Sequence, residues 1–310
     1  MKDKSLTIDG YSIELTNLDK VFFPDPGITK GDLIDYYRKI AGIALPHWQN
    51  RPATLQRFPN GIDETGFFQK QTPGHFPDWI DRRSLPTEKG NLDYLLISNP
   101  ATMVYLANQG ATTLHLGLSR VDKPHHPDRM IFDLDPSDGS FSKVQAAAHS
   151  IRELLENIGL DSYPQTTGSR GLHILVPLDR SADFETVHDF ARRLAQFLAD
   201  TRPDLLTAEQ RIARRGNRVF LDYLRNSYGQ TAVAPYSIRP LPEAPVATPL
   251  DWHEALANGM SSRKFNHGNI FRRLGQKADP WAGLNRKGRS VGAAVKRLAE
   301  FEDGWRPSAE

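Results

Sequence analysis

MIFDLDP, residues 130–136, alternates apolar and acidic side chains and stops at a proline, the pattern of a β-strand with one face in a core and two carboxylates on the other. Successive strand side chains point to opposite faces, so Asp133 and Asp135 share one, about 7 Å apart, while Phe132 and Leu134 enter the core. Two ionised carboxylates confined together repel, so the site takes up a proton or recruits a cation, and a divalent metal resolves the conflict. The competing account is a polar strand end, where Asp135-Pro136 begins a turn and Ser137-Asp138-Gly139 completes it.

Outward from this strand the chain alternates strand and helix. Downstream, a helix is expected over 141–158, then the extended run YPQTTGSRGLHILVPL, then a helix over 184–200. RRGNRVFLDYLRN reads as a turn followed by a strand, and Asp222 interrupts its apolar run where a charge is costly without a partner. Three carboxylates from two strands are the usual protein share of a site for two Mg²⁺ or Mn²⁺ ions, phosphate and water oxygens completing the shells. Upstream lie a helix over 100–110, the strand LHLGLS and the irregular loop VDKPHHPDR.

At the N-terminus, SLTIDGYSIELT alternates around Asp9-Gly10 and reads as a hairpin, and Thr29-Lys30-Gly31-Asp32 opens a helix that Pro46 is expected to stop. TLQRF and NLDYLLIS read as strands, and the Pro-rich stretch 235–249 as an extended crossing segment. The last fifty residues read as helical, and between Ser261 and Glu310 eleven Lys or Arg against five Asp or Glu give about +6. The spans 1–110, 111–250 and 251–310 are read as an N-terminal portion, a core and a basic C-terminal portion of one domain.

At 310 residues with 39% hydrophobic content, the chain can bury a full core, and its formal net charge of +2 does not by itself identify a nucleic-acid binder. Absence of cysteine excludes disulfides, thiolate zinc sites and cysteine nucleophiles, and fits a reducing compartment, with cytoplasm the default. No secretory h-region and no apolar run of roughly 20 residues is present, so an unexported chain with no membrane role is expected.

Thr167, Ser169, Arg170, Gly171 and His173 share a tight turn before the strand ILVPL. Glycine lets backbone N–H groups approach phosphate oxygens, the hydroxyls donate, and Arg makes forked contacts; an ordinary Gly-rich loop is the bland alternative. His115 reads first as a satisfied strand histidine. Phe67 and Phe68 follow the turn NGIDETG, where adjacent loop aromatics can stack on a template base. Arg211, Arg214, Arg215, Arg218 and Arg225 cluster about the Asp222 strand, as phosphate contacts or as a solvated helix end.

Asn17-Leu18-Asp19-Lys20, RPATLQRFPNG, FDLDP, Gly-Ser-Arg-Gly-Leu-His, VFLDYLRN and TAVAPYSIR, in this order and spacing, resemble the primase-like polymerase domain of bacterial DNA ligase D, in the archaeo-eukaryotic primase superfamily. The resemblance spans almost the whole chain. It implies an α+β primase-type fold, with an RRM-like antiparallel catalytic sheet packed with helices and a smaller N-terminal α/β portion. It implies a nucleotidyltransferase that fills gaps and extends primers at double-strand breaks in non-homologous end joining, with nucleoside triphosphates, ribonucleotides preferred.

Carried over by position, Asp133, Asp135 and Asp222 are the catalytic, metal-holding carboxylates. His115, Thr167, Ser169, Arg170, Gly171, His173 and Arg239 contact the triphosphate. The resemblance implies that Asn17, Lys20 and Lys30 grip the 5′-phosphate at gaps, overhangs or break ends, and the residues themselves make Phe67, Phe68, Arg215 and Arg225 further candidates for DNA contact. Mn²⁺ or Mg²⁺, as two ions, is the implied cofactor, and Ku and a DNA ligase module are the implied partners, near the nucleoid during repair.

Two rivals come from other classes. FDLDPSDG resembles the Asp-x-Asp loop of haloacid-dehalogenase phosphatases, although that family places it near the start of a Rossmann-like unit. A non-catalytic DNA-end-binding module is the other, and the intact carboxylate set argues against it.

Overall fold

A computed structural model describes residues 4–302, which form two compact units. The first is built from residues up to 122 with 231–247 and 265–277, the second from 123–230, 248–264 and 278 onward. Among the described residues no helix is long and apolar enough to cross a membrane. Asp303, Arg306 and Glu310, counted in the basic C-terminal balance, lie outside the described residues.

In the first unit the expected hairpin pairs Lys4–Ile8 with Tyr11–Leu15, and Asp9 (φ 52°) and Gly10 (φ 84°) take the left-handed conformations that a tight two-residue turn requires. The helix Lys30–Trp48 starts where the sequence places it. Thr29 accepts from the Asp32 amide while Asp32 accepts from the Thr29 amide, a reciprocal capping box. Pro46 does not stop it. It lies in the last turn, where it forfeits one bond to Gly42, whose position is exposed to solvent.

An antiparallel sheet runs Thr231–Val233, Ala111–Gly117, Ala53–Arg57, Gly90–Leu95, Arg82–Thr87, with Phe67–Gln69 also paired to Ala53–Arg57. The helix Lys30–Trp48 supplies Tyr36, Tyr37 and Trp48 to the core beside it, and their polar tips are satisfied by the carbonyls of Tyr236, Thr112 and Pro235 at 2.7, 2.6 and 2.9 Å. The Pro-rich stretch is not an extended crossing. Glu243 (φ 66°) and Ala244 (φ 48°) reverse it, so that Ile238 bridges Val246 and Pro245 bridges Asn266.

The second unit holds a five-stranded sheet in the order Tyr163–Thr166, Leu172–Pro177, Arg129–Pro136, Val219–Asp222, Leu206–Thr207. Three pairings are antiparallel; the edge strand Leu206–Thr207 runs parallel to Val219–Asp222, because the loop 208–218 carries the chain back before it pairs. The antiparallel surroundings of the Asp-x-Asp strand are unlike the parallel Rossmann-like unit that the phosphatase alternative needs. Phe132, Leu134, Leu172, Ile174 and Leu221 are buried on one face, packed with the helices Phe141–Asn157 and Phe184–Thr201.

Asn226, wholly buried, extends the central ladder past its last strand residue. Its side-chain carbonyl accepts from the Ile131 amide at 2.8 Å, and its amide donates to the carbonyls of Ile131 and Tyr223 at 2.7 and 2.9 Å. Asn226→Ala would strand both buried backbone groups of Ile131. The expected cost is about 3 kcal/mol, seen as a lower urea midpoint at unchanged slope. A change below about 0.5 kcal/mol would mean that water replaces the amide.

Candidate active site

Strand register decides which side chains share the face opposite those helices. Asp133 lies directly across from His173 on one side and from Asp222 on the other, and Asp135 across from Phe220. Directly opposed residues point to the same face, their Cβ atoms about 5 Å apart, so Asp133, Asp135, His173 and Asp222 form one polar patch. Asp133 is buried, and its Oδ2 lies 3.4 Å from His173 Nε2. Asp222 differs from the reading as a charge inside a strand. It ends its strand, and its Oδ1 accepts the Leu224 amide at 2.8 Å as the chain turns into the short helix Leu224–Asn226.

The electrostatics are those of crowded anions. Burial pushes the Asp135 carboxyl up and the charge of Asp133 pushes it further, against Arg170 and His173. Burial likewise raises Asp222, offset by the Leu224 N–H, with Asp133 again raising and Arg225 and Arg215 lowering it. Arg225 Nε stands 4.0 Å from Asp133 and 3.8 Å from Asp222. Among the described residues no three His, Asp or Glu groups converge on one point as metal ligands. By donor chemistry the row still fits a divalent ion: hard carboxylate oxygens, a Cβ spacing that two ligands at about 2.1 Å can span, and repulsion that a cation relieves.

The glycine turn is tied down from inside. The buried Thr167 hydroxyl contacts the Gly171 carbonyl at 3.2 Å and receives the amides of Ser169 and Gly171, each at 3.3 Å. It therefore shapes the turn from within, beside the phosphate contact that the resemblance implies for it. Gly168 (φ 65°) supplies the left-handed residue, and Gly171 passes so close to the Asp strand that a Cβ there would meet the Leu134 carbonyl oxygen at 1.8 Å. Arg170 is exposed and acts on Asp135 through its charge. Ser262 and Arg263, which sequence reading missed, hold the turn: Ser262 Oγ donates to the Gly171 carbonyl at 2.9 Å, and Arg263 Nε to the Ser169 carbonyl at 3.0 Å. No local pattern marks residues that act some ninety positions away.

In the first unit, Asn17, Lys20 and Lys30 are brought together. The Lys20 amide donates to the Asn17 carbonyl at 3.0 Å and the Lys30 amide to the Lys20 carbonyl at 2.8 Å. Lys30 is not a solvated surface group, and Lys20 is half-buried with its ammonium engaged. Lys30 is buried, its ammonium donating to the Thr16 carbonyl at 2.6 Å, and Lys20 Nζ donates to the Pro59 carbonyl at 2.9 Å and Asn60 Oδ1 at 2.6 Å. Phe67 and Phe68 sit on a short strand where a loop was expected, and both are exposed, at 46% and 64%. Phe68 meets the ring of His115 edge-on at 5.7 Å. The Arg239 amide donates to the Pro245 carbonyl at 2.7 Å.

Back in the second unit, the arginine cluster separates into two kinds. Arg215 turns inward, its guanidinium 3.7 Å over the Phe220 ring, and Arg218 donates to the carbonyls of Arg215 and Arg214, both at 2.8 Å. Arg211 and Arg214 are exposed.

Residues 29–281 match the family described as LigD, primase-polymerase domain. The chain is 36% identical over 276 residues to the multifunctional non-homologous end joining protein LigD of Mycolicibacterium smegmatis, covering 88% of this chain and 36% of that protein. It is 30% identical over 271 residues to the bifunctional LigD of Bacillus subtilis, covering 87% and 43%. The chain thus spans less than half the length of these relatives. Its structure resembles the polymerase domain of Mycobacterium tuberculosis ligase D solved in complex with DNA, with a TM-score of 0.84 and 34% identity over 89% of this chain and 99% of that one.

Proposed function

Because the chain belongs to the LigD primase-polymerase domain family, whose members are metal-dependent nucleotidyltransferases, we propose that it extends primers and fills gaps at broken DNA ends, template-directed, for non-homologous end joining. The observation that carries this reading is the cross-strand row of Asp133 and Asp222 with Asp135 beside it on the same face. These three would hold two Mg²⁺ or Mn²⁺ ions, which when bound activate the 3′-hydroxyl and stabilise the pyrophosphate leaving group. Arg170, Ser169, Gly171 and His173 receive the triphosphate of the incoming nucleotide, the fixed turn holding their spacing. His115 and Arg239, both in the first unit, are proposed as nucleotide contacts on the resemblance alone. Ribonucleotides are preferred.

In this reading residues 1–110 carry the DNA-end contacts, 111–250 the catalytic core and 251–310 basic support. Ku and a ligase module are the expected partners, with the work done on cytoplasmic, nucleoid DNA. The test is Mn²⁺-dependent extension on a gapped duplex, with ribo- and deoxyribonucleotides in competition. Template-matched incorporation with ribonucleotides favoured is expected; phosphate release without incorporation would overturn the assignment.

Asn17, Lys20 and Lys30 grip the 5′-phosphate of the downstream strand, with Phe67 and Phe68 against the template. Lys20→Gln is expected to weaken binding to a 5′-phosphorylated gap by roughly tenfold relative to an unphosphorylated one. Equal binding of the two gaps by the wild-type chain would remove this assignment.

A further inference from the structure

Among the described residues the exposed large apolar side chains are Val21, Phe67, Phe68 and Ile212, and Ile212 is the most open, at 77%. A lone exposed isoleucine is ordinary on a protein surface. The setting of this one is not. It opens the single-turn helix Ile212–Arg214 at the tip of the loop joining the last two strands of the carboxylate sheet.

That loop is braced from within. Arg215 Nε donates to the Glu209 carbonyl at 3.0 Å and its Nη2 to the Gln210 carbonyl at 2.8 Å, closing the loop beneath the tip. Arg218 ties the far side through the carbonyls of Arg214 and Arg215. The two inner arginines thus fix the loop's shape, and the exposed tip carries Arg211 and Arg214 flanking Ile212 in sequence, with the Glu209 carboxylate, which accepts the Arg211 amide, offsetting part of their charge.

The brace also joins the tip to the carboxylates. Arg215 stacks on Phe220, which lies directly across from Asp135. The loop runs directly into the strand Val219–Asp222 and is braced on the residue opposite Asp135, which puts it next to the carboxylates where a primer end would be held. Cations flanking an apolar wedge match a polyanion with stacked bases at its centre: the cations take phosphates, and the apolar group presses on a base step.

We propose that Ile212 is an apolar wedge against a base step of the primer duplex, behind the carboxylate row, with Arg211 and Arg214 holding the phosphates beside it. This rests on the polymerase reading for the position of the primer. It adds a contact that unstacks bases, and so senses how the primer end is paired.

The probe is a gapped duplex carrying 2-aminopurine at each of the last few primer positions in turn, since its emission rises when the base unstacks. Saturating wild-type protein is expected to raise emission at one position by about twofold or more, Ile212→Ala to lose most of that rise, and Ile212→Met to keep it. Affinity for the DNA should change by less than about threefold in Ile212→Ala, whereas Arg211→Gln and Arg214→Gln should each weaken binding and reduce the salt slope by about 1. No enhanced position with wild type, or an unchanged response in Ile212→Ala, would overturn the wedge. Incorporation by the wild-type protein on the same DNA is the separate readout: its absence alongside an intact fluorescence response would sink the polymerase reading and leave the duplex contact standing.

Discussion

Asp133→Ala and Asp222→Ala should each lower nucleotide addition by at least about 10³-fold, roughly 4 kcal/mol of lost transition-state stabilisation, while the circular dichroism of the chain stays unchanged. The two residues oppose each other across one rung of the sheet, and each lies about 4 Å from the same arginine, so removing either dismantles the same charge cluster. Neither contributes to the apolar face, where Leu134 and Leu221 form the neighbouring rung, so the sheet should survive. Single-turnover extension on a saturating gapped duplex separates lost chemistry from lost DNA binding. Loss of less than about tenfold in either variant would remove the carboxylate row from the chemistry.

Gly171→Ala is expected to be the most damaging change at the nucleotide turn. The added Cβ would meet the Leu134 carbonyl oxygen at 1.8 Å and its carbon at 2.9 Å, backbone atoms that cannot swing aside as a flexible side chain would. Either the turn or the Asp strand must move, at a cost of about 3 kcal/mol by chemical denaturation, with nucleotide addition down by about a hundredfold because the phosphate-contacting groups leave register with the carboxylates. Gly275→Ala is the control, since Gly275 is helical and has nothing within 4 Å of its would-be Cβ; it should be neutral or slightly stabilising. A Gly171→Ala protein within about 1 kcal/mol of wild type would mean that the two segments are not locked together.

The proposed division of labour follows from how the arginines are used. Arg215 and Arg218 spend their donors on backbone carbonyls and on the Phe220 ring, while Arg211 and Arg214 stay exposed at the tip. Counting cations along 211–218 gives one basic cluster; the hydrogen bonds divide it into a brace and a contact surface. The lysines near the N-terminus carry the same lesson, because Lys30 is buried and anchored by Thr16 where composition suggests a surface group.

Much of this protein was decided by sequence alone. Alternation in MIFDLDP placed Asp133 and Asp135 on one face and Phe132 and Leu134 on the other, Asp9-Gly10 set a hairpin turn, and Thr29 and Asp32 set a helix start. Each is a short-range effect, carried by side-chain period, left-handed backbone preference or a capping hydrogen bond, and so is written in neighbouring residues. Pro46 misled because the cost of a proline depends on how much helix remains beyond it, and here little did. Only the tertiary structure decided that Asp222 ends its strand opposite Asp133, that Asn226 completes the ladder in place of backbone, and that Ser262 and Arg263 return to hold the glycine turn. The physical reason is register: a slip of one residue between the two strands would send Asp222 to the apolar face, and what forbids it is the packing of Leu134 with Leu221 and the helices behind them, a sum over residues that no local pattern contains.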